Sequence, residues 1–382
     1  MRSITLTVFL LIGFFAKAQI DDAKLLDFIE TQRYAELANY IESIYPNGNE
    51  DSKMVSRLAY AYYMSGNLLK AENNYLKLLQ KDSLSFSTLN SLANIANKRG
   101  NYPHMVNYYQ KILNIDSANF YIIKQTAFAY QQMDNEDKEF EYLKKASRIN
   151  STDPEVAYDF SRRLMYMIKL KEADSVLNMA LAADSSNMLL LKGSLSINYS
   201  SDNFNEAVRR GETLMNLGDS SNETKNKLAQ SYYYTNQFQK CISLMEQIIK
   251  SDAANETTFY FIGLSYRRLK NLDKSNESLN AAIEAGISNN LGIYYQELGK
   301  NREELNQFSS SIYNYKKALE FNNKLNIVNY SIARIYDAKL KKTKTALGFY
   351  KQYVKNADKK SKYDRPFIEY STSRIQELSS SK

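Results

Sequence analysis

The sequence predicts an all-α fold in which antiparallel helix pairs repeat along the chain. Small and large apolar residues recur at helical spacing on either side of a break at residues 65–67, which indicates a helix, a tight turn and a second helix within residues 58–83. The pattern returns after 34 residues, because Leu58, Ala59, Gly66 and Tyr75 are followed by Leu92, Ala93, Gly100 and Tyr109. A fixed period of this size is typical of a solenoid.

The period predicts which residues pack and which connect. Small residues are needed where the helices of a pair approach closely, and that position of the first helix falls at Ala59, Ala93, Ala127, Ser161, Leu195, Ala229 and Gly263. The connectors between pairs follow the same 34-residue period, because Asp82, Asp116, Asn150 and Asp184 are each followed by serine. Such residues end one helix and cap the next. One more pair is expected before the first clear copy, within residues 25–46.

The strict period ends after residue 286. Leu291, Gly292 and Tyr295 restart the first-helix pattern five residues early, whereas residues 315–318 place the second helix seven residues late. We therefore expect a hairpin near residues 291–320 that is about two turns longer than its neighbours. The predicted organisation is one solenoid of about ten repeats over residues 19–357, then a capping helix and tail over residues 358–382.

The first residues predict export. Arg2 precedes an apolar run at residues 4–15, and residues 16–18 supply a small, any, small pattern that places cleavage at Ala18/Gln19. A membrane anchor and a buried helix are the alternatives, but twelve residues are too few for a span, which needs about 20. We expect a mature protein with no transmembrane segment, periplasmic or secreted. The one cysteine, Cys241, leaves no intramolecular disulfide and is expected to be a buried structural thiol.

The chain resembles the tetratricopeptide repeat (TPR) family from about residue 20 to residue 378. The resemblance rests on Leu58, Ala59, Tyr62, Gly66, Ala71, Tyr75 and Leu78, with an echo at Leu291, Gly292, Tyr295, Tyr315 and Ala318. The tryptophan of the first helix and the proline after the second helix, both usual in the family, are missing. The resemblance implies a right-handed superhelix of antiparallel helix pairs with a C-terminal capping helix. It also implies a concave groove, lined by the first helices, that binds peptides or partner proteins.

A second stripe on the first helices, offset from the packing stripe, is the predicted groove surface. Its residues recur at i, i+4 and i+7, which keeps them on one face. Tyrosine offers a large contact area, asparagine and glutamine bond a peptide backbone, and lysine or arginine binds a carboxylate. A solvated polar face is the alternative. The candidate binding residues are Tyr60, Tyr63, Asn90, Asn94, Asn97, Lys124, Gln131, Tyr158, Arg162, Lys192, Tyr199, Asn226, Gln230, Tyr233, Tyr260 and Arg267.

Charge is concentrated near the C-terminus. The formal net charge is +8, and the predicted cleavage removes Arg2 and Lys17 to leave +6. Residues 339–365 contain ten basic and two acidic residues, so this segment alone carries +8 and the rest of the mature chain about −2. It is either a solvated face or a docking patch for an acidic partner or an anionic envelope surface. The basic patch comprises Lys339, Lys341, Lys342, Lys344, Lys351, Lys355, Lys359 and Lys360.

The sequence offers little for catalysis. The single histidine, His104, has no second histidine with which to build a metal site or a triad, and no nucleotide-binding motif appears. We therefore expect no cofactor, no metal, no catalytic residue and no nucleic-acid partner. The predicted function is an exported, non-enzymatic interaction scaffold for another protein or peptide, with the assembly of an envelope or secretion complex as its expected setting. The alternative is an all-helical solenoid enzyme, a glycosidase or peptidase, that uses Glu155, Glu223 or Glu297.

Overall fold

A computed structural model describes residues 21–45, 51–286 and 290–380. Throughout these ranges the secondary structure is helical, with 21 α-helices, one π-helical segment and no β-strand. This confirms the predicted all-α class. The signal peptide predicted for residues 1–18 lies outside the described ranges. Within them, no helix has the length and apolar character needed to cross a bilayer.

The chain divides into two compact units, residues 1–160 and 161–382, with the boundary inside one helix. The first unit and the boundary helix contain α1 (Asp22–Glu30), α2 (Tyr34–Ile44), α3 (Ser52–Met64), α4 (Leu68–Lys81), α5 (Phe86–Lys98), α6 (Tyr102–Ile115), α7 (Phe120–Gln132), α8 (Glu136–Ile149) and α9 (Pro154–Tyr166). The second unit continues with α10 (Leu170–Ala183), α11 (Met188–Ser200), α12 (Phe204–Asn216), α13 (Asn222–Tyr234), α14 (Phe238–Lys250), α15 (Glu256–Arg268) and α16 (Leu272–Ala285). It ends with α17 (Leu291–Glu304), α18 (Phe308–Phe321), α19 (Ile327–Arg334), a π-helical segment (Ile335–Lys339), α20 (Thr343–Asn356) and α21 (Arg365–Ser380).

The turn inside each helix pair has one repeated geometry. Its central residue has a positive φ at Gln32, Gly66, Gly100, Asp134, Ile168, Asp202, Asn236 and Lys270, each 34 residues after the last. The backbone N–H of the residue after it donates a hydrogen bond to a carbonyl near the end of the first helix. In the first clear pair, the N–H of Asn67 donates to the carbonyl of Tyr62 at 2.8 Å. The backbone therefore follows the period read from the sequence.

Asparagine and aspartate side chains fix the helix starts and the connectors. The Asn67 side chain accepts a hydrogen bond from the N–H of Lys70 at 3.3 Å and so caps α4. The Asp82 side chain accepts from the N–H of Leu84 at 3.1 Å in the connector that follows. The same turn recurs at Asp116, Asn150 and Asp184. These residues end their helices as predicted. The prediction that they cap the next helix is wrong, because residues three positions later, such as Ser85 and Asn119, accept the capping hydrogen bonds.

Close packing within the pairs follows the predicted small sites. Ala59 and Ala71 face each other across the first clear pair with no exposed surface, and a Cβ added to Gly263 would lie 2.9 Å from the Leu279 side chain. Cys241 is also fully buried, and burial raises the pKa of its thiol to about 11. Its predicted structural role is confirmed.

The predicted long hairpin is wrong. Helices α17 and α18 have 14 residues each and are joined by the usual short turn, with Asn306 at φ 58°. Asn306 lies 36 residues after Lys270, so the departure is two extra residues before the turn rather than longer helices. The residue of this pair that corresponds to Gly263 is Gly299, not Gly292, because Ser311 donates to the Gly299 carbonyl at 2.8 Å as Ser275 does to the Gly263 carbonyl at 2.7 Å. Gly299 lies against the Tyr315 ring, and Gly292 packs against Asn322.

Candidate partner-binding site

The sixteen stripe residues all lie on first helices and keep part of their surface in solvent. Tyr60 is exposed and the other fifteen are half-buried. Their partial burial arises because many of them contact the neighbouring first helix. Each unit is described separately below.

In the first unit, Lys124 is the centre of a pocket of about 270 Å³ that Asn97 and Gln131 also line. Its ammonium group lies 3.1 Å from Asp153 and 2.7 Å from Glu155. Burial lowers the pKa of Lys124, but these two carboxylates outweigh burial and raise it. The lysine is therefore held as a cation between two acids of the next first helix.

Aromatic stripe residues of the first unit also contact their neighbours. The Tyr60 ring meets Tyr34 edge-on, with centroids 5.8 Å apart. The ammonium group of Lys98 lies 4.0 Å from the centroid of the Tyr63 ring, a cation–π contact. These pairs hold the tyrosine rings in fixed positions beside solvent.

In the second unit, the stripes of α11 and α13 bond directly. Tyr199 donates its hydroxyl hydrogen bond to the side-chain oxygen of Gln230, and Lys227 donates to the hydroxyl of Ser196 at 2.9 Å. Lys192, also on the stripe, lies 3.4 Å from Asp219. The structure therefore brings together two predicted residues, Tyr199 and Gln230, that lie 31 positions apart in the sequence.

Further along the second unit the stripe becomes aromatic. Tyr233 and Phe261 meet edge-on at 5.4 Å, and Tyr260 and Tyr294 lie 4.9 Å apart. Burial raises the pKa of the Tyr260 hydroxyl well above its usual range. Phe261 and Tyr294 are buried, so the surface of this part of the stripe is formed by the half-buried Tyr233 and Tyr260 rings that pack on them.

The largest of the four pockets found in the described ranges lies where this surface reaches the end of the regular repeats. It has a volume of about 650 Å³ and contains Arg267 of the predicted stripe and Lys339 of the predicted basic patch. Lys300, Glu303 and Arg334 contribute the other charged groups of the wall, with Phe308 and Tyr315 as its aromatic part. The π-helical segment forms one side, and such segments are frequent at functional sites.

Three of the four cations that line this pocket are paired with carboxylates of the described chain, and the fourth is not. Arg267 donates to Asn301 at 2.8 Å and to Glu304 at 2.5 Å. Arg334 forms an ion pair with Glu303, and Lys300 lies 2.6 Å from Glu297. Lys339 has no carboxylate within 4.0 Å among the described residues, and its ammonium group lies 5.8 Å from the centre of the Phe308 ring. The pocket thus presents an uncompensated ammonium group beside an aromatic ring.

The sequence prediction missed Lys300, Glu303, Arg334 and Lys227 as members of this surface. A signal for part of it exists, because first-helix residues that touch across neighbouring repeats lie 31 positions apart. This spacing joins Lys124 to Glu155, Ser196 to Lys227, Tyr199 to Gln230 and Glu303 to Arg334. A search for complementary residues at that spacing would have found the pairs.

The basic patch is a surface, as its composition indicates. All eight of its lysines are exposed. Within the described part of the chain, none of their ammonium groups lies within 4.0 Å of a carboxylate. His104 is exposed as expected, with Nδ1 2.9 Å from the side-chain oxygen of Asn101.

Each carboxylate of the enzyme alternative is paired with a cation. Glu155 contacts Lys124, Glu223 lies 2.5 Å from Lys227, and Glu297 lies 2.6 Å from Lys300. The hydrogen bond from Lys227 lowers the pKa of Glu223, which opposes a role as a proton donor near neutral pH. Across residues 21–45, 51–286 and 290–380, no cluster of three or more His, Cys, Asp or Glu residues is placed to hold a metal ion.

Comparison with known proteins gives one family match and several similar structures. The sequence model for the tetratricopeptide repeat matches residues 257–285, which cover α15 and α16. A tetratricopeptide repeat protein from Parabacteroides merdae is 14% identical, with 66% of this chain and 99% of that chain covered and a TM-score of 0.45. Yeast Tom70 is 14% identical over 93% of this chain and 95% of that chain, with a TM-score of 0.42. No curated protein sequence matches the chain.

The matched segment has the same turn geometry as the other helix pairs of the described chain. Its central turn residue, Lys270, belongs to the series of left-handed residues that begins at Gln32 and recurs every 34 positions. Within each unit, successive helices contact one another as stacked pairs. Residues 257–285 therefore match a tetratricopeptide repeat, and the same turn recurs in the other helix pairs of the described chain.

Proposed function

We propose that the protein is an exported, non-catalytic scaffold that binds an extended segment of another protein along the first-helix stripe. The observation that carries this proposal is the pocket of about 650 Å³ in which Arg267 of the stripe and the unpaired Lys339 meet. The setting would be the assembly of an envelope or secretion complex, in keeping with the export signal predicted at residues 1–18.

The chemistry of the pocket favours a segment that carries a carboxylate. Lys339 lacks an acidic partner in the described chain and has room beside it, so an incoming acid gains an ion pair without breaking an existing one. Arg267 and Arg334 are already oriented by Glu304 and Glu303, which limits the entropy lost on binding. The tyrosines of the stripe add contact area at low entropy cost.

The basic patch is proposed as a second contact surface, for an acidic partner or an anionic envelope surface. Lys339 of this patch also lines the pocket. The other seven lysines are exposed, with no carboxylate of the described residues within 4.0 Å of their ammonium groups, so their field reaches solvent. A scaffold with a second contact surface can hold one partner while it is itself held elsewhere.

Recovery of partners from the cell envelope tests the stripe. The tagged chain from Gln19 onward is expected to retain a defined protein, and Lys339→Ala and the triple change Asn90→Ala, Asn94→Ala, Asn97→Ala should each reduce its recovery. Matched controls are Lys316→Ala and the triple change Asn73→Ala, Asn107→Ala, Asn114→Ala, which alter exposed residues on second helices. Equal recovery by stripe variants and controls would contradict the proposal.

Export has its own test. The protein purified from the producing cell should begin at Gln19 and be found outside the cytoplasm. An intact N-terminus in the cytoplasmic fraction would remove export from the proposed function and leave partner binding to be judged separately.

A further inference from the structure

The basic segment has a geometry that its composition does not reveal. Helix α20 exposes Lys344, Lys351 and Lys355. Offsets of 7 and 11 residues return to nearly the same face of an α-helix, so the three lysines form a row about 16 Å long. No carboxylate of the described residues lies within 4.0 Å of any of them.

The loop that follows α20 adds more lysines, and its two acidic side chains accept hydrogen bonds. The Asp358 side chain accepts a hydrogen bond from the N–H of Lys360 at 2.9 Å. The Asp364 side chain accepts one from the hydroxyl of the buried Tyr353 at 3.1 Å. Asp364 is half-buried, whereas Asp358 is exposed together with Lys359, Lys360 and Lys362, so the exposed side chains of residues 358–362 carry a net positive charge.

An exposed aromatic ring follows these loop lysines in the sequence. Tyr363 is 88% exposed, the highest value among the large apolar side chains reported for the described chain. Its neighbours on the loop are Lys362 and Asp364, and the carboxylate of Asp364 accepts a hydrogen bond from Tyr353. The loop therefore exposes an amphipathic ring together with a net positive charge.

We propose that this lysine surface, formed by Lys344, Lys351, Lys355, Lys359, Lys360 and Lys362 together with Tyr363, docks the protein on an anionic lipid bilayer. The inference rests on the second contact surface of the proposed function and names its partner. Clustered lysines are attracted by anionic headgroups, and tyrosine is enriched at the membrane–water interface. Lysine is depleted at the core of protein–protein interfaces, so the observations favour a bilayer over an acidic protein.

Vesicle binding tests the electrostatic part. The chain from Gln19 onward, which lacks the apolar run at residues 4–15, should sediment with vesicles of phosphatidylcholine and phosphatidylglycerol but not with phosphatidylcholine alone, and added salt should release it. The variant Lys355→Gln, Lys359→Gln, Lys360→Gln, Lys362→Gln should bind up to about a thousandfold more weakly, since each lysine near the surface contributes about 1 kcal/mol. The control Lys77→Gln, Lys111→Gln, Lys144→Gln, Lys145→Gln removes the same charge from other exposed sites and should bind as the parent does.

A single tryptophan tests the position of Tyr363. The chain contains no tryptophan, so Tyr363→Trp gives a unique fluorophore. Its emission should shift to the blue with anionic vesicles and be quenched by brominated lipid, because the ring enters the headgroup region. Tyr313→Trp, at a residue that is 61% exposed on α18, should show neither change.

These outcomes distinguish failure of the lipid-docking proposal from failure of partner binding at the stripe. Absence of vesicle binding, or equal weakening in both lysine variants, would overturn the docking proposal. Binding to polyglutamate but not to vesicles, lost in the first variant alone, would assign the surface to an acidic protein and overturn it as well. Either result leaves partner recovery by the Asn90, Asn94 and Asn97 stripe unaffected.

Discussion

Arg374 binds both carboxylate oxygens of Asp337, with Nε–Oδ2 at 2.6 Å and Nη2–Oδ1 at 2.9 Å. Asp337 lies in the π-helical segment and is only 5% exposed, whereas Arg374 lies on the last helix, α21. The hydrogen bonds from Arg374 lower the pKa of Asp337, although burial opposes them. This bidentate pair ties the capping helix to the wall of the largest pocket.

Arg374→Ala should therefore destabilise the end of the stack. We expect the free energy of unfolding to fall by about 2–3 kcal/mol, because a buried carboxylate loses its charged hydrogen bonds. Urea denaturation measures the change, and limited proteolysis should cut α21 first. Glu377→Gln changes the outer neighbour of Arg374 and should cost much less; an equal cost would show that the buried pair is not the main contact of α21.

Ile168 is a strained turn residue. It has φ 61° at the position where most other turns have Gly, Asp or Asn and some have Gln or Lys, as at Gln32 and Lys270, and it is the sole β-branched residue with positive φ in the described ranges. Ile168→Asn should raise the free energy of unfolding by about 1 kcal/mol, because the left-handed conformation is costly for a β-branched residue. Thermal unfolding provides the measurement. Ile149→Asn, at an exposed helical residue, should give no such gain, and a loss of stability in Ile168→Asn would refute the strain.

The close packing of α17 against α18 requires a glycine at position 299. An added Cβ would lie 2.5 Å from two atoms of the Tyr315 ring, and that ring is 1% exposed. Gly299→Ala should reduce the free energy of unfolding by about 1–3 kcal/mol, because the core must shift to accept the methyl group. Gly348→Ala is the matched control, since nothing lies within 4 Å of its Cβ position in α20. It should stabilise the helix by about 0.5–1 kcal/mol. Equal effects of the two changes in urea denaturation would contradict this packing.

Asp219 makes the free energy of unfolding depend on pH in the acidic range. Burial disfavours its charge, but hydrogen bonds from Thr224 and Ser221, together with Lys192, lower its pKa to about 2. The folded-state pKa lies below the unfolded value of about 3.9, so this stabilisation is present above about pH 4 and is lost as the pH falls through about 2.

Asp219→Asn should accordingly cost about 2 kcal/mol near neutral pH. The difference from the parent protein should shrink between about pH 4 and pH 2, as followed by urea denaturation across that range. Asp252→Asn, at an exposed turn residue, should show no such pH dependence. A constant difference for Asp219→Asn at every pH would contradict the assigned pKa.

The one clear error in the predicted fold has a simple cause. Leu291 and Gly292 imitate the first-helix pattern that belongs to Leu298 and Gly299, seven residues later. Seven residues are nearly two helical turns, so both sets lie on the same face and periodicity alone does not separate them. The turn at Asn306 carries no glycine to mark it, and only the hydrogen bond from Ser311 to the Gly299 carbonyl resolves the choice.

The candidate site was predictable in kind but not in detail. Helical spacing placed Tyr199, Gln230 and Arg267 on one stripe, yet their partners come from the next repeat. The contact of Arg267 with Asn301 and Glu304, and the isolation of Lys339, depend on how neighbouring pairs stack. Local sequence patterns do not fix that offset.

By itself the sequence determined the helix pairs, their 34-residue period, the buried small residues and the concentration of positive charge near the C-terminus. These follow from local rules of helix spacing, turn formation and capping. Only the tertiary structure decided that Arg374 closes onto Asp337, that Tyr353 donates to Asp364, and that Lys339 lines a pocket with no carboxylate of the described chain within 4.0 Å. Those relationships depend on side-chain distances across the turns and helices of the fold, and no period in the sequence specifies them.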